Sequence, residues 1–102
     1  MSKSYLTPKE EVLTFLKSIP RAKVVTYRAL SKKFVCHPRI ILSVMRGNKF
    51  PDQYPCYKVI ANDGTLGDYV LGEAERVKRL EKDGIGIKNG KVEEKYIIYE
   101  LK

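Results

Sequence analysis

Pro38 divides the stretch from Thr26 to Gly47 into two short helices, and no other residue limits the fold as much. Thr26 suits an N-cap, and a helix from Tyr27 to about Phe34 would turn Ala29, Leu30 and Phe34 inward. Val35-Cys36-His37 leaves room only for a tight connection. Pro38 is well placed at the start of the next helix, because the amide it lacks would have no partner there. That helix runs from Arg39 to Arg46 and carries Ile40, Ile41, Val44 and Met45, with Gly47 as a natural C′ residue. Two short helices and a tight turn make either a helix-turn-helix or an ordinary helical hairpin.

Charge bears on that choice. The 102-residue chain has a net charge of +8, with all the excess in its first half. Met1 to Pro51 holds eleven bases and two acids, and no acid occurs between Val12 and Pro51. Asp52 to Lys102 holds nine bases and ten acids. One-sided basic charge suits a polyanion, because each phosphate contact releases condensed counterions; the other reading is a solvated basic surface. The helix-turn-helix lies inside the acid-free stretch, and this coincidence favours DNA.

The flanking segments complete the domain. Thr7-Pro8-Lys9-Glu10 reads as a capping box, followed by Val12, Leu13, Phe15, Leu16 and Ile19 at helical spacing until Pro20. Lys23-Val24-Val25 and Val59-Ile60 read as short strands, and Asn62-Asp63-Gly64 as a turn. Glu73 to Asp83 reads as a helix with Ala74, Val77 and Leu80 inward, closed by Gly84. Asn89-Gly90 between alternating arms predicts a hairpin over 85–92, and the tail from Tyr96 to Leu101 should pack back as a strand or helical turn. The expected fold is α+β: a winged helix-turn-helix-like single domain, 1–102, with a C-terminal β-hairpin.

Function classes narrow further. No apolar run approaches the ~20 residues of a membrane span, and the start lacks the apolar core of a signal peptide. A reducing, cytoplasmic setting is therefore expected, with no Cys36–Cys56 disulfide. Cys36-His37 would need two more ligands to hold zinc, and His37 is the only histidine. Neither metal nor cofactor is expected. Cys56, between Pro55 and Tyr57 at the mouth of an apolar run, is either a nucleophile or a packed thiol.

Several of these segments together resemble the O6-alkylguanine-DNA alkyltransferases and their alkyltransferase-like relatives. That family's signature, P-C-H-R-V followed by V or I, stands here as Pro55-Cys56-Tyr57-Lys58-Val59-Ile60. Val25-Thr26-Tyr27 is similar to the segment carrying the base-flipping tyrosine, and Arg39, seventeen residues before Cys56, stands at the arginine finger. Met45-Arg46-Gly47-Asn48 matches the end of the recognition helix, with Asn48 at the asparagine hinge. Asn62-Asp63-Gly64 to Gly67-Asp68-Tyr69 matches the pocket loop, and Asp83-Gly84 falls where the family has Glu-Gly. The likeness covers roughly residues 8–92; the family's extra N-terminal domain is expected to be absent.

The resemblance implies stoichiometric transfer of an alkyl group from O6-alkylguanine in double-stranded DNA to Cys56, after the base is extruded. Tyr27 and Arg39 would serve extrusion, and Pro38, Ile40, Leu42 and Arg46 would face the groove. Tyr69, Val70, Leu71 and Val59 would line the pocket, with Leu71 limiting the size of the alkyl group. The catalytic set would be Cys56, Asn48, Tyr27, and Tyr57 with Asp83 in place of the family's histidine and glutamate. A phenol is a poor base at neutral pH, but it can donate a hydrogen bond to a thiolate, and Lys58 should favour the anion. The protein is expected to be a monomer, off the membrane, with a possible partner from a repair pathway. Two alternatives stay open: a sensor that binds the lesion without removing it, and a winged-helix transcription factor.

Overall fold

The computed structural model describes residues 8–66, 69 and 71–101, and the side chain of Pro8 is not among them. The proposed Thr7 cap, the loop residues Gly67 and Asp68, and the pocket residue Val70 lie outside the described residues. Four helices are formed: α1 (Pro8–Leu16), α2 (Tyr27–Lys33), α3 (Pro38–Arg46) and α4 (Glu73–Lys82). Strands β1 (Val24–Thr26), β2 (Val59–Ile60), β3 (Ile87–Lys88), β4 (Lys91–Val92) and β5 (Ile97–Ile98) are short. Single 3-10 turns occupy Cys56–Lys58 and Glu94–Tyr96.

β1 is the middle of a parallel sheet ordered β2-β1-β5, pairing Val25 with Val59 on one side and Val24 with Ile97 on the other. Successive strand residues point to opposite faces, so each strand feeds two cores. Val25 and Val59 join Leu16, Leu30, Ile41 and Met45 on the side of the first three helices. Val24 and Ile60 join Leu80 of α4, Ile85 and Val92 on the other side. A sheet covered on both faces needs nearly continuous apolar strands, and Val-Val and Val-Ile supply them.

The helix-turn-helix forms as the sequence predicts. Thr26 Oγ1 accepts the Ala29 N–H at 3.0 Å, and Ala29 and Leu30 are buried. His37 caps α3, its Nδ1 accepting the Arg39 N–H at 3.0 Å. The turn between them depends on Val35, 89% exposed and at φ 52°, a conformation β-branched residues rarely adopt. On α3, Ile41, Val44 and Met45 are buried while Arg39, Ile40 and Arg46 face outward.

Three local expectations need correction. The first helix ends at Leu16, and Ile19 reaches the core from the turn that follows. Gly47 ends α3 at φ −89° rather than in the left-handed region, so this helix end does not draw on glycine's conformational freedom, and a Cβ there would meet Lys9 Nζ and the Ser43 carbonyl at an ordinary contact distance of 3.4 Å. On α4, Ala74 is exposed, and Arg76, four residues before Leu80, takes the inward position. The hairpin is as predicted, with Asn89 at φ 55° and Gly90 at φ 76° giving the two left-handed residues of a type I′ turn. Of the two alternatives for the tail, the chain takes both in succession, a 3-10 turn and then β5. None of the described helices is long and apolar enough to cross a membrane.

Candidate functional site

Cys56 sits at the first position of the 3-10 turn that leads into β2, 2% exposed and part of the core beneath the first three helices. The sequence between α3 and this turn cannot continue a helix, and Asn48 organises it. Its Nδ2 donates to the Tyr54 carbonyl at 2.9 Å and to the Cys56 sulfur at 3.1 Å, while its Oδ1 accepts the Phe50 N–H at 3.0 Å. One buried amide thus shapes the loop and presents a donor to the thiol. The Cys56 N–H in turn donates to the Tyr54 carbonyl at 2.7 Å.

Arg76, 1% exposed, approaches the same turn from α4. Its guanidinium donates to the carbonyls of Val59 and Leu66, to that of Tyr57 at 3.3 Å and to that of Cys56 at 3.5 Å. The Tyr69 ring lies against it, with the guanidinium carbon 5.3 Å from the ring centroid. Sequence reasoning missed Arg76, because a charged residue in an otherwise polar helix reads as solvent-facing. Its spacing of four from Leu80 was the available signal.

Burial pushes the Cys56 thiol above its ordinary pKa; the Asn48 hydrogen bond and then the Arg76 charge pull it back, without outweighing the burial. Lys58 does not contribute to this field as expected. Its Nζ is turned to the carbonyls of Ile19 and Pro20, at 3.3 and 2.8 Å, and to Asp83 Oδ2 at 2.9 Å. Asp83 is also 3.7 Å from Arg21, so this carboxylate stands in an ion pair beside Tyr57. The half-buried Tyr57 lines a cleft of about 710 Å3 with Arg21, Arg79 and Asp83. Burial first, and then the negative charge of Asp83, keep its phenol protonated past its usual range.

Tyr69 is half-buried, and its hydroxyl is buried with no hydrogen-bond partner among the described residues. Burial and the neighbouring Cys56 push its pKa up as well. Leu71 is exposed near this ring in sequence, and Val59 is fully buried in β2, in the same core as Cys56. Tyr27, the first residue of α2, is half-buried against the core. Arg39, Pro38, Ile40 (52% exposed) and Arg46 form the outer surface of α3, and Leu42 is half-buried. No three His, Cys, Asp or Glu side chains cluster as metal ligands among the described residues.

These shifts give a pH prediction with a definite sign. Cys56, Tyr57 and Tyr69 all favour their neutral forms in the folded state, so their contribution is complete below the unfolded thiol pKa of ~8.5 and is lost as pH rises past it. The urea midpoint should fall steadily between pH ~8 and ~11, and less steeply in Cys56→Ser. A flat midpoint over that range would contradict the burial of these groups.

Residues 7–85 match the family model described as 6-O-methylguanine DNA methyltransferase, DNA binding domain. A bifunctional methyltransferase/endonuclease of Picrophilus torridus is 39% identical over 82 residues, which cover 78% of this chain and 28% of that protein. The crystal structure of the O6-methylguanine-DNA methyltransferase from Pyrococcus kodakaraensis superimposes with a TM-score of 0.72 at 33% identity, over 78% of this chain and 47% of that one. The chain thus spans less than half the length of either protein. Atl1 of S. pombe, in a complex with damaged DNA containing O6-carboxymethylguanine, has the same fold, with a TM-score of 0.77 at 24% identity over 89% and 94% of the two chains.

Proposed function

Since the chain belongs to the family of the 6-O-methylguanine DNA methyltransferase DNA-binding domain, we propose that it accepts the alkyl group of O6-alkylguanine in duplex DNA onto Cys56. The observation that carries this reading is the thiol held 3.1 Å from Asn48 Nδ2, with Arg76 behind its turn. A thiol that merely filled space would not need a buried amide aimed at its sulfur.

The reaction balances without a cofactor. The Cys56 thiolate attacks the alkyl carbon, an S–C bond forms as the O6–C bond breaks, and the electron pair stays with guanine. The proton released by the thiol is matched by one taken up by the departing base. Asn48 Nδ2 steadies the thiolate, and the field of Arg76 favours it. A thioether has no easy route back to a thiol, so each molecule acts once. Extrusion falls to Tyr27 at the start of α2 and to Arg39 on the exposed side of α3, with Tyr69 against the extracted base.

A second reading has a specific observation behind it. Burial raises the thiol pKa, and Tyr57 is a phenol beside a carboxylate, not a base. A site with so little thiolate would hold the lesion without removing its alkyl group. Intact mass measurement after incubation with an O6-methylguanine duplex separates the two. The gain of one CH2, absent in Cys56→Ala, supports transfer. No gain, with tighter binding to damaged than to plain DNA, supports a sensor. No gain and equal binding to both DNAs leaves a winged-helix binder in which Cys56 is structural.

A further inference from the structure

Building on the DNA reading above, we propose that the β3–β4 hairpin is a second contact to the DNA backbone, made by Lys88 and Lys91 on phosphate oxygens. The two lysines are a directly opposed antiparallel pair. Opposed residues share one face of a hairpin, and like charges in that position destabilise it. The adjacent pair, Ile87 and Val92, lies on the other face, where Val92 is buried and Ile87 packs against the same core. The lysines therefore face outward, and both are exposed.

Neither lysine has an ion-pair partner among the described residues. Asp63 feels the charge of Lys91, but its Oδ1 accepts the Thr65 N–H at 3.0 Å and the Thr65 hydroxyl at 2.7 Å, and these bonds are the main causes of its lowered pKa. No acid occurs from Ile85 to Val92. A lysine kept for solubility has no reason to stand opposite another across a two-residue turn. A phosphate between the two ammonium groups converts their repulsion into attraction.

The topology places this pair on a useful side. β1 and β2 are parallel, so the chain leaves both at the same end of the sheet: into Tyr27 and Arg28 of α2 after β1, and into the 61–65 turn after β2. The hairpin is fastened to that turn by a Thr65–Lys91 bridge and by the Val92 N–H, which donates to the Gly64 carbonyl at 2.9 Å. Gly64 allows the close approach, since a Cβ there would lie 3.3 Å from the Val92 carbonyl oxygen. Lys88 and Lys91 also lie beyond residues 7–85, the span of the family match, so the family pattern does not supply them.

The test is the salt dependence of binding of the full chain to an undamaged duplex. Each phosphate contact contributes about −0.9 to the slope of log affinity against log salt. Lys88→Ala/Lys91→Ala should flatten that slope by roughly 1–2 and weaken binding most at low salt. Its melting temperature should equal or exceed that of the wild type, since a repulsion is removed. Lys78→Ala/Lys82→Ala on α4 removes the same charge elsewhere and should leave the slope in place. A change below about 0.5 in the hairpin variant, an equal change in the α4 variant, or a lower melting temperature in the hairpin variant would overturn the proposal. A wild-type protein without salt-dependent DNA binding would overturn the DNA reading itself, and this inference with it.

Discussion

Arg76→Ala should cost about 3–5 kcal/mol of stability, a large part of the ~5–15 kcal/mol available to a domain of this size. The side chain is among the largest that are fully buried, and its guanidinium serves the carbonyls of Cys56, Tyr57, Val59 and Leu66. Truncation opens a cavity and leaves these acceptors short of a donor in a place water does not readily reach. Arg76→Lys should recover only part of the loss, because one ammonium group cannot span carbonyls on both sides of the Cys56 turn. Arg76→Met keeps apolar volume but no donor, and should sit close to Ala. Urea unfolding followed by circular dichroism measures all three; a loss below about 1 kcal/mol for Ala would mean that the network carries little weight.

Asn48→Asp should slow alkyl transfer by about 10²-fold or more while changing the size of the side chain very little. The substitution replaces the Nδ2 donor with an oxygen, so the Cys56 sulfur and the Tyr54 carbonyl both lose a hydrogen bond. It also sets a carboxylate against a sulfur that must become anionic, which pushes the already raised thiol pKa further up. The sign of the pH response identifies the cause: single-turnover rates of the variant should approach those of the wild type as the pH rises, because thiolate is what it lacks. Asn48→Ala should instead lose stability as well as rate, by leaving the Phe50 N–H without its acceptor and the Tyr54 carbonyl with only the Cys56 N–H. Rates equal to wild type in Asn48→Asp at neutral pH would remove Asn48 from the chemistry.

The helix-turn-helix was legible because its determinants are local. Thr26 caps the residue three positions on, Pro38 starts a helix by what it lacks, and the apolar residues of α3 recur at helical spacing. The Asn89-Gly90 hairpin was legible for the same reason. Arg76 was not, because its partners lie ten to twenty residues earlier in the chain, and nothing local distinguishes a buried arginine from a solvated one. Lys58 misled in the same way: it sits two residues from the thiol, yet its charge is spent on Asp83 and on carbonyls near the end of α1. The Cys56 motif and Asn48 were legible through the resemblance, but the buried charge of Arg76 behind the thiol was not.

The order of strands in the sheet has a consequence in time. β1 precedes both of its partners in the chain: its two hydrogen-bonding edges are filled by strands made later, β2 after the Cys56 turn and β5 after the β3–β4 hairpin. Until then Val24 and Val25 form a bare apolar ribbon. Parallel pairing across such separations is slow to close. The sheet that carries Val25 and Val59 beneath the first three helices is therefore complete only once β5 has been made, after those helices themselves.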